Sequence, residues 1–419
     1  MSTPSHAQTP TMERAILLTL AAVQFTHILD FMIMMPLGPH LMRVFDIDPG
    51  QFSHLVAAYG ISAAITGFAG GFVLDRFDRK HALLVLYTGF GLATLACALA
   101  PNYGALLVAR CAAGAFGGVS SSLVTAMVGD VIPAARRGRA MSVVMSAFPV
   151  ASVLGVPLGL VLAENFEWHA PFFLLGGLAV VVLVIGARSL PNLLTLHAPA
   201  HPWTQMKAIL IHPIHQRGFL LSAALIFAGG TIVPFLAPSM VTNVGLTEAQ
   251  LPLIYLAGGL CTFFTMPIIG RLSDRYDKLH LLGWLSLAAS LVVLVLTNLP
   301  PAPVYVAMLM TALFMITMSG RFTPTMTMVT NAVENRYRGG FMSVNSSVQQ
   351  AASGLANLTS GLVITSDAAT GRLVGYPRVG LVAVCFFGLT YWLAARLRHA
   401  APHAAKSGHV DPTAALAVD

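Results

Sequence analysis

The stretch Gly71-Phe72-Val73-Leu74-Asp75-Arg76-Phe77-Asp78-Arg79-Lys80 lies between two long apolar runs. It holds two acidic and three basic side chains, in a chain where only 9% of the residues are charged. A second copy, Gly270-Arg271-Leu272-Ser273-Asp274-Arg275-Tyr276-Asp277-Lys278, lies at an offset of 199 and keeps the glycine, both aspartates, an arginine and an aromatic residue. Another pair of segments, 137–143 and 338–344, aligns at an offset of 201. Two repeats at nearly the same offset indicate that the chain consists of two related halves.

The composition is that of a membrane protein. Hydrophobic residues make up 56% of the 419 residues, and the mean hydropathy is +0.76. Soluble domains carry roughly 25% charged residues, so this chain does not fit that class. At about 20 residues per membrane-spanning helix, it has room for a dozen. We therefore predict an all-α membrane protein with 12 transmembrane helices in two pseudo-symmetric six-helix bundles.

The apolar runs predict twelve spans, which we number in chain order. They lie at 15–42, 52–74, 81–100, 104–129, 139–163, 170–190, 218–243, 250–273, 279–298, 303–330, 340–366 and 374–397. The predicted domains are an N-terminal tail, a first bundle, a connecting loop with an amphipathic piece at 203–211, a second bundle and a C-terminal tail, at 1–13, 14–190, 191–217, 218–398 and 399–419.

The lysines and arginines predict the orientation of the chain. With both termini inside, the inner segments contain most of the 23 basic residues, whereas the outer loops contain Arg43, Arg372 and Arg378. Because inner loops carry the excess of positive charge, we expect both termini to be cytoplasmic. The expected location is the inner (cytoplasmic) membrane, as a multi-pass protein of the lipid bilayer. Topology then explains the net charge of +7, and no nucleic-acid partner is expected.

The opening loop carries a family resemblance. The pattern Gly71-x-x-x-Asp75-Arg76-x-x-Arg79-Lys80, between predicted spans 2 and 3, resembles the signature loop of the major facilitator superfamily. The closest likeness within it is to the 12-span drug:H⁺ antiporters and the sugar or metabolite efflux permeases. The resemblance covers about residues 14–398 and implies two six-helix bundles around one cavity, alternating access and a monomer. Asp78 departs from the pattern, which usually has glycine there.

The resemblance implies a conformational latch at the cytoplasmic ends of the bundles. Asp75 is expected to face the start of span 11 near Gly340, and Arg79 to pair with Asp130. Asn331 replaces the aspartate in the second half, which predicts a weaker second latch. The alternative is that these charges only fix topology and solubility. The predicted latch comprises Gly71, Asp75, Arg76, Arg79, Asp130, Asp274 and Arg275.

Three charged residues fall inside predicted spans: Asp30 in span 1, Arg110 in span 4 and Arg321 in span 10. A charge at the middle of the bilayer costs roughly 2.5–3.5 kcal/mol on insertion scales, so each is expected to face protein or water. The resemblance implies that spans 1, 4, 7 and 10 line the cavity. All three charges lie on that set.

Asp30 is the predicted proton carrier. Burial raises the pKa of a carboxyl group, and a nearby arginine lowers it. A conformational change that alters these contacts could therefore load and release a proton. Arg110 lies in Leu106-x-x-x-Arg110-x-x-Ala113-Gly114, which resembles the family's span 4 motif for proton transfer, with Ala113 in place of the usual glutamine. His27, three residues before Asp30, could relay protons or hold the carboxylate. The alternatives are a structural ion pair or substrate binding by Asp30 and Arg110, and a hydrogen-bonded interior histidine for His27.

Four polar residues are predicted to bind substrate. They are Gln24, Arg321, Asn345 and Gln349. Arg321 offers a fixed cation to an anionic or zwitterionic group, and an inner-gate ion pair is the alternative. Asn345 and Gln349 belong to a polar stripe on span 11, most of which we expect to bond across helices.

Span 5 contains Gly155-Val156-Pro157-Leu158-Gly159. This stretch is similar to the Gly-Pro-Gly antiporter motif of drug exporters, in which small residues allow helices to pack closely and bend. The intervening valine departs from that motif. The partial match favours efflux.

The remaining patterns exclude other classes. The chain lacks a Walker A motif, a nucleophile elbow and an HExxH motif, so neither ATP hydrolysis nor these catalytic sites are expected. The four cysteines are far apart, and no metal site, cofactor or enzymatic activity is expected. The sequence predicts a proton-coupled transporter that exports a small amphipathic solute, a drug or a metabolite. The alternative is proton-coupled uptake of an anionic or zwitterionic metabolite.

Overall fold

The computed structural model describes residues 10–73, 77–133, 136–191, 202–334, 337–367 and 369–401. In these residues, eleven helices are long and apolar enough to cross a membrane. A further long helix, Arg338–Val363, lies between the tenth and the eleventh of them. Its serines, asparagines and glutamines make it more polar than the others, which is consistent with a twelfth span buried by protein.

The helices of the first half follow the predicted order. Span 1 is Pro10–Ile33, followed by a short helix, Gly38–Phe45. The helices of spans 2, 3, 4 and 6 are Pro49–Val73, Arg79–Ala98, Tyr103–Val131 and Ala170–Ser189. Span 5 is divided into Arg137–Met145, Ala147–Val150, a π-helical turn at Ala151–Gly155, and Val156–Phe166.

The second half begins after a connecting helix, Pro202–Ile211. Span 7 consists of Pro213–Gly230, a 3₁₀ turn at Val233–Phe235 and Leu236–Thr242. After a 3₁₀ turn at Glu248–Gln250, spans 8 to 12 are Leu251–Arg275, Lys278–Thr297, Val304–Asn331, Arg338–Val363 and Tyr376–Ala400. Strands β1 (Thr365–Ser366) and β2 (Leu373–Val374) form an antiparallel hairpin between spans 11 and 12.

Three predicted spans are not continuous α-helices. Span 1 breaks before Gly38, span 5 contains the π turn, and span 7 breaks after Gly230. Each irregular stretch contains a proline or ends two residues before one, namely Pro36, Pro157 and Pro234. Proline has no backbone N–H and clashes with the preceding turn, so it interrupts the regular hydrogen-bond ladder.

In the described part of the chain, the core consists of three clusters of buried apolar side chains. The largest joins both halves and includes Phe52 of span 2 and Phe235 of span 7, whose ring centroids lie 5.9 Å apart. The second contains only residues between 16 and 190, and the third only residues between 206 and 397. Each half therefore has a core of its own in addition to the shared one.

These clusters lie at different ends of the spans. We call the end that carries Arg79, Arg136, Lys278 and Arg398 the basic end, and the other, where Phe52 and Phe235 lie, the opposite end. The shared cluster is concentrated at the opposite end, and the two separate clusters occupy the basic-end parts of their halves. The halves are thus packed together at the opposite end and have separate cores at the basic end.

The most extensive contact between the halves runs along spans 2 and 11. A Cβ atom added to Gly60 would lie 3.0 Å from the Gln350 carbonyl oxygen and 3.2 Å from the Gly354 backbone nitrogen. A Cβ atom added to Gly67 would lie 3.2 Å from Ser347 Oγ. Glycine at these two positions lets spans 2 and 11 approach closely, so Gly60 and Gly67 mark the seam between the halves.

Candidate functional site

Asp30 and Arg110 form an ion pair inside the first half. Arg110 Nη1 donates to Asp30 Oδ2 at 2.7 Å and to the Asp30 carbonyl oxygen at 3.3 Å. Both side chains have 0% exposed area. The structure therefore brings together the two residues that the sequence placed on separate spans as a predicted pair.

Two neighbouring spans complete the surroundings of this pair. Thr94 of span 3 donates its hydroxyl to Asp30 Oδ1 at 3.3 Å. The Arg110 guanidinium carbon lies 4.9 Å from the ring centroid of Tyr59 in span 2. Each charge thus has a second partner, a hydroxyl for the carboxylate and an aromatic face for the cation.

His27 lies on the same face of span 1 as Asp30 but does not bond to it. Its ring packs edge-on against Phe90 and Tyr87 of span 3, at centroid distances of 4.3 Å and 5.6 Å. Both ring nitrogens are buried without a hydrogen-bond partner among the described residues. The predicted interior position agrees with the structure. The structure does not agree with a hydrogen-bonded histidine, or with a histidine that holds the carboxylate directly.

The Gly155-x-Pro157-x-Gly159 segment packs against span 1 beside the ion pair. A Cβ atom added to Gly155 would lie 2.8 Å from Leu29 Cδ1, and one added to Gly159 would lie 2.6 Å from Ile33 Cδ1. Pro157 is buried one residue after the start of the last segment of span 5. The small residues thus let span 5 lie directly on the two residues that flank Asp30 in space.

Gln24 and Gln349, two of the predicted substrate residues, are partly exposed. Gln24 Oε1 accepts a hydrogen bond from Ser121 of span 4 at 3.1 Å. Gln349 Nε2 lies 3.6 Å from the sulfur of Met326 in span 10. Asn345 is buried, and neither of its amide atoms has a partner among the described residues. The amide of Asn345 can therefore still form hydrogen bonds, and leaving it unsatisfied in a buried position is costly.

Arg321, the fourth predicted substrate residue, is enclosed by spans 9 and 12. Its Nε donates to Ser286 Oγ at 3.1 Å, and its guanidinium carbon lies 4.1 Å from the Phe387 ring centroid. The side chain is 1% exposed, and Nη2 has no hydrogen-bond partner among the described residues. Within that part of the chain it forms no ion pair with a carboxylate. The geometry therefore separates Arg321 from Asp30 and Arg110, although all three lie on the predicted cavity spans.

The latch residues are only partly described. Asp75 and Arg76 lie outside the described residues, and Gly71 is in the last turn of span 2. Arg79 Nε lies 2.5 Å from Asp130 Oδ2 and links the basic ends of spans 3 and 4, the pairing that the resemblance implied. Asp78, where glycine is usual, caps span 3 by accepting from the His81 backbone N–H at 3.0 Å. A side-chain cap thus stabilises the helix start at the position of the departure.

The second copy of the loop contains an ion pair that sequence reasoning missed. Asp277 caps span 9, as Asp78 caps span 3, and it also accepts from Arg398 of span 12 at 3.1 Å. Asp274 and Arg275 are exposed at the end of span 8, and their side chains form no hydrogen bond or ion pair among the described residues. In this half, therefore, the described ion pair belongs to the second aspartate of the motif.

A second cluster that sequence reasoning missed joins the halves at the opposite end. Arg43 donates to both carboxylate oxygens of Glu248, at 2.6 Å and 3.1 Å, and His40 Nδ1 lies 3.3 Å from Glu248 Oε2. The hydrogen bond with Glu248 raises the pKa of Arg43. The charges of Arg43 and Glu248 were visible in the sequence, but no signal there paired residues 205 positions apart.

The Asp30–Arg110 pair is a buried titratable group inside the membrane spans, and the described residues contain no cluster of metal-ligating side chains. No group of three or more histidine, cysteine or acidic side chains among them is placed to hold a metal ion. Asp30 is a carboxylate held by one removable cation, and the pair lies between the two spans that also carry Gln24 and Ser121. Uptake of a proton by Asp30 would abolish the ion pair and leave Arg110 as an isolated buried charge.

Comparisons with known proteins identify the family. The sequence model of the Major Facilitator Superfamily matches residues 20–357 and 218–416. The chain is 26% identical over 368 residues to the uncharacterized MFS-type transporter YceJ of Bacillus subtilis (strain 168), covering 85% of this chain and 91% of that one.

Solved structures share the fold. A bacterial homolog of the human lysosomal transporter Spinster, in an inward-facing and unoccupied conformation, gives a TM-score of 0.75 at 15% identity, over 96% of this chain and 100% of that chain. The human organic anion transporter MFSD10 (TETRAN) gives 0.69 at 17% identity, over 92% and 100%. The chain therefore belongs to the Major Facilitator Superfamily and is a multi-pass membrane transporter, not an enzyme.

Proposed function

We propose that this protein is a proton-coupled secondary active transporter that exports a small amphipathic solute, such as a drug or a metabolite, by alternating access. The observation that carries the proposal is the Asp30–Arg110 pair, fully buried between spans 1 and 4. Buried ion pairs are weak contributors to stability, because desolvation offsets their attraction. Titratable residues inside membrane spans commonly mark proton relays.

The proposed coupling follows from what a proton does to this pair. With Asp30 charged, Arg110 is neutralised by a 2.7 Å contact. With Asp30 protonated, Arg110 keeps the Asp30 carbonyl, the Tyr59 ring and the Cys97 thiol as described partners, and none of them is a carboxylate. An isolated buried cation is strongly unfavourable, so proton uptake favours a rearrangement of spans 1 and 4. The glycines of span 5 that contact Leu29 and Ile33 have no side chains to obstruct span 1 when it moves.

The proposed substrate surface is polar but not charged. Gln24, Ser121 and Gln349 are partly exposed and carry neutral hydrogen-bonding groups. Met32, whose sulfur lies 3.9 Å from Ser152 Oγ, and Met326 are partly exposed as well. Methionine is flexible and polarizable and suits varied apolar ligands. This combination supports an amphipathic solute.

The orientation completes the proposal. We take the basic end as cytoplasmic, which places both termini in the cytoplasm and the protein in the inner membrane. The separate cores of the two halves at that end then support an inward-facing arrangement. Arg79 and Asp130, with the rest of the signature loop, would act as the latch that forms and breaks there. We further propose bundles at 14–190 and 218–398, acting within a monomer.

One observation favours the alternative, proton-coupled uptake of an anionic or zwitterionic metabolite. Arg321 is a buried cation without a carboxylate partner among the described residues, so it remains available for an anion in another conformation. The fold likeness to a human organic anion transporter is compatible with this alternative.

Transport in proteoliposomes separates the two functions. An imposed pH gradient is applied to vesicles with ethidium as a cationic amphipathic probe and benzoate as an organic anion. The proposal predicts ethidium movement opposite to the proton gradient. Benzoate movement along with protons, abolished by Arg321→Met, would support uptake instead. If neither gradient nor uncoupler affects movement of either probe, proton coupling is wrong.

A further inference from the structure

Tyr59 is the residue of span 2 that touches the buried ion pair. Its ring centroid lies 4.9 Å from the Arg110 guanidinium carbon, and the side chain is buried. The ring also packs against Phe31 of span 1, at a centroid distance of 5.5 Å. Tyr59 thus contacts Arg110 on one helix and the neighbour of Asp30 on another.

The sequence of span 4 fixes this position. A Cβ atom added to Gly114 would lie 2.7 Å from the Tyr59 Cα atom, and one added to Gly117 would lie 2.5 Å from the Tyr59 hydroxyl. Gly114 and Gly117 follow Arg110 by four and seven residues, so the three lie on one helix face. Span 4 therefore presents its cation and a two-glycine groove to the same tyrosine.

The residue after Tyr59 belongs to the seam between the halves. Gly60 faces span 11, where an added Cβ atom would lie 3.0 Å from the Gln350 carbonyl oxygen and 3.2 Å from the Gly354 nitrogen. Tyr59 and Gly60 are adjacent in one unbroken helix. One residue of span 2 contacts the ion pair, and the next contacts the other half of the molecule.

We propose that Tyr59 is a positioning residue that holds Arg110 when Asp30 is protonated and transmits the change in the ion pair to the seam between the halves. This inference rests on the proposed proton coupling at Asp30. The negative face of an aromatic ring attracts a cation and repels a carboxylate. While the pair is charged these effects oppose each other, and once Asp30 is neutral the attraction alone remains. The ring therefore favours the protonated state.

Other titratable groups around the pair do not provide this function. Cys97 of span 3 interacts electrostatically with Asp30 and Arg110 and hydrogen-bonds to Arg110, but as a thiol it has no aromatic face. His27, on the same helix as Asp30, packs on Phe90 and Tyr87 instead. The aromatic contact to Arg110 among the described residues comes from Tyr59.

The test measures how the conformation depends on pH, and needs no substrate. Spin labels are placed at Gly138→Cys and Gly339→Cys, exposed equivalents of the two halves where an added Cβ atom meets nothing within 4 Å. The exposed Cys111, Cys261 and Cys385 are replaced by serine, and the buried Cys97 is kept. Electron–electron double resonance in lipid nanodiscs then gives the label separation as a function of pH.

The inference predicts how each variant changes the pH midpoint of the label separation. Wild type and Tyr59→Phe should share one pH midpoint, because the ring is kept. Tyr59→Leu should shift the midpoint to lower pH by about half a unit to one unit. Pentafluorophenylalanine at position 59, which keeps the size but reverses the charge of the ring face, should shift it in the same direction. Tyr255→Leu, which removes an equally buried tyrosine of the second half, should leave it in place.

Two results would overturn the inference, and they differ. If the wild-type separation does not change with pH, or Asp30→Asn leaves its pH dependence intact, the proposed proton site fails and this inference with it. If wild type responds through Asp30 but the leucine and fluorinated variants keep its midpoint, only the role of Tyr59 fails. Should Tyr59→Leu not fold, the fluorinated variant decides alone.

Discussion

Asp30 Oδ2 and Arg110 Nη1 lie 2.7 Å apart, on side chains that expose none of their surface. The contact joins spans 1 and 4 of one half, and it is completed by Thr94 and Tyr59 from spans 3 and 2. Spans 1 to 4 therefore all meet at this pair. A change in its charge acts on each of them at once.

Removing one partner of the pair should be worse than removing both. Arg110→Met leaves a buried carboxylate, and we expect the free energy of unfolding to fall by about 3–5 kcal/mol. Arg110→Met combined with Asp30→Asn leaves no charge and should recover most of that loss. Thermal unfolding of the purified protein in detergent measures both. If the double variant is as unstable as the single one, the pair contributes through packing and not through charge.

The ion pair of Arg79 and Asp130 has a mirror position without an acid. Lys278 and Asn331 stand at the offsets of Arg79 and Asp130 in the second half. We expect Asp130→Asn to lower the free energy of unfolding by about 1 kcal/mol, and Asn331→Asp to raise it by a similar amount, because the mirror pair then carries opposite charges. Thermal unfolding of the two variants side by side measures this. Destabilisation by Asn331→Asp would show that the two halves differ in geometry at this site.

The cluster of Arg43 and Glu248 should hold the opposite end closed. Glu248→Gln removes the charge from a contact between the halves, and we expect two- to fivefold more of the conformation in which the basic end is closed, the effect of a pair worth about 0.5–1 kcal/mol. The spin-label pair at positions 138 and 339 reports it. Glu164→Gln, a nearby exposed carboxylate that forms no such pair among the described residues, is the control. Equal effects of both variants would contradict a specific gate.

The charge of Arg43 in this cluster should not change over the pH range used for transport. The pKa of Arg43 is raised above its ordinary value, chiefly by the hydrogen bond with Glu248. A raised pKa contributes stability that is fully present below the ordinary value and is lost only when the pH rises through the folded one. Arg43 therefore stays charged at every pH used for transport. The effect of Arg43→Gln on the label separation should be the same at pH 7 and pH 9, and a difference between these values would contradict this.

We expect the buried charge of Arg321 to lower the free energy of unfolding. Its guanidinium is enclosed by Ser286 and Phe387 without a carboxylate among the described residues. Replacing even a buried ion pair by apolar groups is often neutral or stabilising by about 1–4 kcal/mol, and a cation without a carboxylate has less compensation. We therefore expect Arg321→Met to raise the free energy of unfolding by an amount in the same range. Ser286→Ala keeps the charge but removes a hydrogen bond, so it should lower the free energy of unfolding. Loss of stability in Arg321→Met would indicate that the cation has a carboxylate partner in the folded protein.

The sequence predicted the features that follow from composition and repetition. Apolar runs gave the twelve spans, including span 11, and the aligned segments 137–143 and 338–344, at the starts of spans 5 and 11, indicated two related halves. The Asp30–Arg110 contact was within reach because two charges in an apolar region must be compensated. The irregular turns at the proline sites were missed, since proline in a membrane helix permits either a kink or a continuous helix.

Other features depend on the rotation of a helix or on contacts between distant segments. Membership of span 10 suggested that Arg321 faces the cavity, but a helix has several faces, and the one with Arg321 packs on spans 9 and 12. Likewise, Arg43 and Glu248 meet because of how the halves dock. The hydrophobic pattern of a helix surrounded by protein and lipid is too uniform to fix either relationship.

The most direct test of the account compares two modes of ethidium transport in proteoliposomes, for wild type and Asp30→Asn. Accumulation driven by a pH gradient requires coupling, whereas exchange of labelled for unlabelled ethidium at equal pH does not. The account predicts that Asp30→Asn abolishes gradient-driven accumulation and retains exchange. Asp46→Asn, which neutralises an exposed aspartate at the opposite end, should retain both. Gradient-driven accumulation by Asp30→Asn at the wild-type rate would contradict the account.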